Sequence, residues 1–149
     1  MGDRCYLRVS VFRPHAEKFR TAVDGVVEVK DDGVNFMTLQ DESSDYGSHD
    51  ALISAAKSGL VFSGFHTAGD EYGGRKFVAA HGRIHFVSVH NDVIVVPVGP
   101  HGQVHWTDMR DAQEYLRVSK FVNRLLDTPV VISAALAKKF LLPRSANEE

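Results

Sequence analysis

Three alternating segments stand almost end to end in this chain, Lys76 to His81, Ile84 to His90 and Val93 to Val98, separated only by Gly82-Arg83 and Asn91-Asp92. Two-residue connections leave no room for a crossover, so neighbouring segments must pair antiparallel as hairpins, and each turn sets the register of its pair. A three-strand meander is therefore predicted. Pro97 cannot donate to a ladder and places the last strand at an edge.

The remaining segments supply partners for this meander. Cys5 to Val11 alternates as a strand with one face on a core. Arg13-Pro14 opens a helix with Ala16, Phe19, Ala22 and Val23 on one face, and Asp24-Gly25 ends it. Val26 to Lys30 and Val34 to Gln40 form a hairpin through Asp31-Asp32-Gly33, followed by an acid-rich loop from Asp41 to Ser48. His49 to Ser58 is a helix with Ser48 as its N-cap and Gly59 as its terminator. Leu60 to His66 is a strand, and Thr67 to Arg75 is a loop with three glycines. A short strand is expected at Val104 to Trp106. A long helix then runs from Thr107 or Asp108 to about Leu126, with an apolar stripe of Met109, Ala112, Tyr115, Leu116, Phe121 and Leu125. Pro129 to Ile132 reads as a short strand and Ser133 to Leu141 as a last helix. Trp106, Met37 and Met109 are expected in the core.

This order has too few βαβ units for a doubly wound sheet. It predicts an α+β domain, a mainly antiparallel sheet with a central β-meander packed by about three to four helices. Residues 1–142 form one domain and 143–149 a polar C-terminal tail.

At 149 residues, 44% hydrophobic and 24% charged, the chain can bury a core without disulfides or metals. The single Cys5 reads as a small buried hydrophobe. No apolar run approaches the roughly 20 residues that cross a bilayer. Met1 to Arg8 lacks the apolar block of a secretory signal, so a cytoplasmic location is expected. Charge is unevenly spread: eight carboxylates between Asp24 and Asp50 face Lys30 alone, whereas Asp108 to Arg144 is net positive. Such a field governs encounter and partner choice. It excludes direct nucleic-acid binding through the acidic segment, because phosphates need cations.

Six of the eight histidines, His66, His81, His85, His90, His101 and His105, fall in or beside the meander. Strand parity divides them. With turns at Gly82-Arg83 and Asn91-Asp92, His81 and His90 share a face but stand about 20 Å apart at opposite ends of a strand. His85 faces the other side, and His81 lies with the loop carrying His101. His66 and His90 mark the second end, to which the acidic loop and the Thr67 to Arg75 loop converge. The predicted partner-binding face there holds Asp41, Glu42, Asp45, Tyr46, His66, Asp70, Glu71, Tyr72, His90 and Asp92, together with Ser48 and His49.

Enzymatic readings are weaker. A metal site of His66, Asp70, Glu71 and His90 has suitable ligand types, but no HExxH or paired CxxC is present, so neither metal nor cofactor is assigned. His66 oriented by Asp70 or Glu71 is chemically competent as a general base and defines the alternative, a small His-dependent hydrolase or transferase. His105-Trp106-Thr107 fits one HxT triplet of two-histidine phosphodiesterases without a second. Gly69 to Gly74 puts carboxylates where a phosphate loop would need none, and Ser43, Ser44 and Ser48 lack a GxSxG setting.

Tyr46-Gly47, a leucine-bearing helix, Gly59-Leu60-Val61-Phe62 and then Gly69-Asp70-Glu71-Tyr72-Gly73 resemble a pattern in small α+β accessory proteins carried by phages and plasmids, over about residues 41–86. The resemblance brings no catalytic residues. It implies an accessory protein of a mobile element, a class that includes acidic inhibitors of host defence complexes. The leading expectation is thus a non-enzymatic protein whose acidic face occupies a basic, nucleic-acid-handling surface of a partner. A homodimer pairing through the meander edge is a third reading.

Overall fold

The computed structural model describes residues 4–29, 33–69, 73–96, 98–104 and 106–140. Seven strands form one antiparallel sheet: β1 (Arg4–Phe12), β2 (Val27–Glu28), β3 (Phe36–Asp45), β4 (Phe62–His66), β5 (Arg75–Ala80), β6 (Arg83–His90) and β7 (Val93–Ile94), in the order β2-β3-β1-β4-β5-β6-β7. Helices α1 (Ala16–Ala22) and α2 (His49–Lys57) cover one face; α3 (Trp106–Leu126) and α4 (Ala134–Phe140) pack on the other. The α+β architecture with a β5-β6-β7 meander is the one predicted.

Alternation on β1 explains its place inside the sheet. Leu7, Val9 and Val11 point into the cluster under α1 and α2, with Phe19, Leu39, Leu52, Phe62 and Phe77. On β5, Phe77 and Ala79 face that cluster while Val78 and Ala80 join Phe12, Val61, Val118, Val122 and Leu125 on the α3 side. Four consecutive buried residues are what a strand covered on both faces requires.

Several local expectations are corrected. The Asp41 to Ser48 segment is not a loop: β3 continues to Asp45, paired with β1 as far as Arg4. The ladder absorbs one extra β3 residue between the Leu7–Asp41 and Cys5–Ser44 pairs, and the Asp41 carboxylate accepts the Ser43 N–H at 3.0 Å. This bulge lets an acid-rich sequence remain a strand. Ser48 does not cap α2; it sits in the left-handed region and its hydroxyl bonds Ser44 Oγ at 2.8 Å. The β5–β6 turn is His81-Gly82, both at positive φ, with Ala80 opposite Arg83. That slides the pair by two residues and leaves the faces unchanged, so His85 still lies opposite Val78 on the α3 face. The Asn91-Asp92 turn pairs His90 with Val93 as predicted.

Beyond Ile94 the expected edge strand reduces to a single bridge between Val98 and Val104, and Trp106 begins α3. Trp106 is 71% exposed and Met109 is exposed too, so neither is core. The buried stripe of α3 is Val118, Val122, Leu125 and Leu126, an i, i+4, i+7, i+8 set displaced toward its C-terminal half. Residues 129–132 form no strand. Their backbone is held by the buried Asn35, whose Nδ2 donates to the carbonyls of Thr128 (2.7 Å) and Val130 (2.8 Å) and whose Oδ1 accepts the Ile132 N–H at 2.8 Å. The Asp31-Asp32 turn, Pro97, His105 and the tail after Phe140 lie outside the described residues. No helix among the described residues is long and apolar enough to cross a membrane.

Candidate functional site

Strand order gathers one end of the sheet: the start of β1, the ends of β3, β4 and β6, and the start of β5. Leu7, His66, Arg75 and Ser88 stand in one cross-strand row on the α2 side. His66 is 2% exposed. Its Nδ1–H donates to the Thr67 carbonyl at 2.9 Å, and its Nε2 accepts the Arg75 Nε–H at 3.2 Å. A guanidinium can only donate, so these two contacts fix a neutral Nδ1–H imidazole.

Arg75 extends the chain of contacts. Its Nη2 donates to His49 Nδ1 at 3.3 Å, and its guanidinium lies 4.7 Å from the centroid of Phe86, against which His49 also packs at 4.9 Å. Burial, foremost, and the Arg75 charge hold both histidines below the ordinary imidazole range; the Thr67 bond opposes this at His66 and Asp50 opposes it at His49. Gly47, at φ +65°, presses on the His66 ring so closely that a Cβ there would stand 2.7 Å from Cδ2. The left-handed pair Gly47-Ser48 turns the chain from β3 into α2 and so delivers His49 to Arg75.

From the sequence, His66 and His49 are expected at this end, but Arg75 is not among the site residues. A signal for Arg75 existed: it precedes Phe77 by two and Ala79 by four, so it occupies an inward position on a core strand and must find partners. His90 shares the parity of Phe86 and Ser88 but is exposed, two strands from His66 and about 12 Å away along the sheet. The structure does not bring the two together. Asp41, Glu42 and Asp45 lie on β3, and Asp92 lies in the β6–β7 turn, four interstrand spacings or about 20 Å across the sheet. The single face expected from sequence is therefore a common end, spread over the sheet width. Asp70, Glu71 and Tyr72 lie outside the described residues, as does the side chain of Tyr46.

The acidic residues are grouped more tightly around β3 than the expectation had it. The Asp24-Gly25 turn comes beside Asp41, whose Oδ2 would stand 2.8 Å from a Cβ on Gly25, whereas Asp50 follows His49 in the first turn of α2, toward β5 and β6. Asp24, Glu42, Asp45 and Asp50 are exposed, and among the described residues no ion pair engages any of them or Asp41. No group of three or more histidine, cysteine or carboxylate side chains among the described residues is arranged to hold a metal ion. The chain matches no family model, no curated protein and no solved structure.

Proposed function

We propose that this chain is a non-enzymatic binding protein that docks the acidic β3 end of its sheet on a basic partner surface, of the kind that nucleic-acid-handling complexes present. The observation that carries it is the group of Asp24, Asp41, Glu42 and Asp45 along the β3 side of the sheet, without ion-paired partners among the described residues. Uncompensated carboxylates at an edge discourage pairing with a second sheet and raise a field that steers a cationic partner. The resemblance to phage- and plasmid-borne accessory proteins is in keeping with an inhibitor of a host complex. The hydrolase alternative gains less support. A general base at His66 needs its Nε2 lone pair, and that lone pair already accepts from Arg75.

Affinity capture with the wild-type chain and with a triple charge reversal, Asp41→Lys, Glu42→Lys and Asp45→Lys, tests the proposal. A basic partner should be recovered by the wild type, released by salt, and bound about ten-fold or more weakly by the variant. Equal recovery by both chains sinks it.

A further inference from the structure

Among the described residues, the α3 face of the sheet is covered over only part of its width. α3 lies against β5 and β6, and its buried residues meet Phe12, Val61, Val78 and Ala80. Toward the β3 end of the same face, the outward positions change character: Arg4, Tyr6 and Arg8 come from β1, Gln40 from β3, Phe65 from β4 and Lys76 from β5. A helix-covered surface would be apolar. This one is polar, and it carries two half-buried aromatic rings.

The arrangement has an internal order. Gln40, Arg8, Phe65 and Lys76 form one cross-strand row, so Phe65 is bracketed by a cation on each side, with the Arg8 and Lys76 backbones about 10 Å apart. Tyr6 is diagonal to Phe65, with ring centroids 6.1 Å apart and planes inclined at 39°. Its hydroxyl donates to Gln40 Oε1 at 2.7 Å, which holds the ring on the sheet surface. Arg4 continues the β1 row, and among the described residues no ion pair engages Arg4, Arg8 or Lys76.

We propose that this open sheet face binds single-stranded nucleic acid, with bases stacked on Tyr6 and Phe65 and phosphates held by Arg4, Arg8 and Lys76. Rings interleaved with cations meet a ligand that alternates planar bases with anionic linkers. An acidic peptide offers charge but no plane to stack, and an apolar partner would leave the cations unmatched. The carboxylates Glu42 and Asp45 on β3 repel phosphate and confine the strand to β1, β4 and β5. This surface borders the acidic docking end, Arg4 standing opposite Asp45 in the β1–β3 ladder, and does not depend on that reading.

Fluorescence anisotropy of a labelled fifteen-nucleotide oligothymidine with the full chain tests it. Binding is expected at 50 mM salt, with a log–log salt slope of about −2 for three phosphate contacts to a single strand. Phe65→Ala should weaken it about ten-fold, and Phe65→Leu, which keeps most of the packing while removing the ring, should do nearly the same. Arg8→Glu with Lys76→Glu should abolish it while circular dichroism shows the fold retained. No binding by the folded wild type overturns the proposal, as does binding that Phe65→Leu leaves unchanged. Equal affinity for oligoglutamate also overturns it, because that would be charge alone.

Discussion

Arg75 donates its Nε–H to Nε2 of the buried His66 while its guanidinium rests 4.7 Å from the Phe86 ring centroid, so one cation fixes a tautomer and packs a core aromatic together. Arg75→Ala removes both interactions and is expected to cost about 2–3 kcal/mol in urea unfolding. The His66 pKa, followed by NMR, should rise in this variant but remain below the ordinary imidazole value, because burial, the larger cause, persists. An unmoved titration would show that the guanidinium does not act on the ring.

Gly47→Ala meets two obstacles at once. The residue holds φ +65°, and its Cβ would enter the His66 ring space. Backbone strain and overpacking together predict a loss of about 2–4 kcal/mol. Thermal unfolding indistinguishable from wild type would contradict the close approach.

Asn35→Ala should loosen a specific loop. Its side chain satisfies two carbonyls and one N–H in the α3–α4 connection, and the truncation leaves them without that partner. A loss of about 2–4 kcal/mol is expected, with amide exchange at Ile132 accelerating more than in β1. Uniform protection across both segments would argue against the clamp.

Acid should destabilise the fold from the imidazole range downward. His15, which accepts the Val61 N–H at Nδ1, His49, His66 and His85 all have folded pKa values below 6.5, with burial the first cause in each. The unfolded chain therefore takes up protons first as pH falls. Their stabilising contribution is whole above about 6.5 and is lost between 6.5 and the lower folded values. Unfolding midpoints compared at pH 7.5, 6 and 5 should decrease in that order; a flat profile would refute the linkage.

Trp106→Ala should change stability by no more than about 0.5 kcal/mol, since the side chain is 71% exposed at the start of α3. A larger loss in thermal unfolding would place it in the core after all.

Much of the site's end of the molecule was legible in order. Alternation along β1 and β6 assigned the faces, and the Asn91-Asp92 turn set the β6–β7 register because a two-residue hairpin allows little else. His81-Gly82 was harder, since Gly82-Arg83 is also a glycine-bearing pair and both choices preserve parity. The acid-rich end of β3 was illegible: its composition disfavours a strand, and only pairing with β1 and the bulge at Asp41 stabilise it as one. Met109 through Leu125 fit an apolar stripe in the α3 sequence, yet the sheet beneath α3 engages Leu125 together with Val118, Val122 and Leu126, while Met109 is exposed.

By itself the sequence determined which segments alternate, where short turns force antiparallel neighbours, and which parity His66, His85 and His90 have, because these depend on a few consecutive residues. Only the tertiary structure decided that β1 lies between β3 and β4, that His49 and His66 meet on Arg75, and that no helix among the described residues packs over the Tyr6–Phe65 face. Those outcomes depend on pairing distant segments and on which part of a two-sided sheet each helix covers. Periodicity reveals a buried side but not the surface against which it is buried.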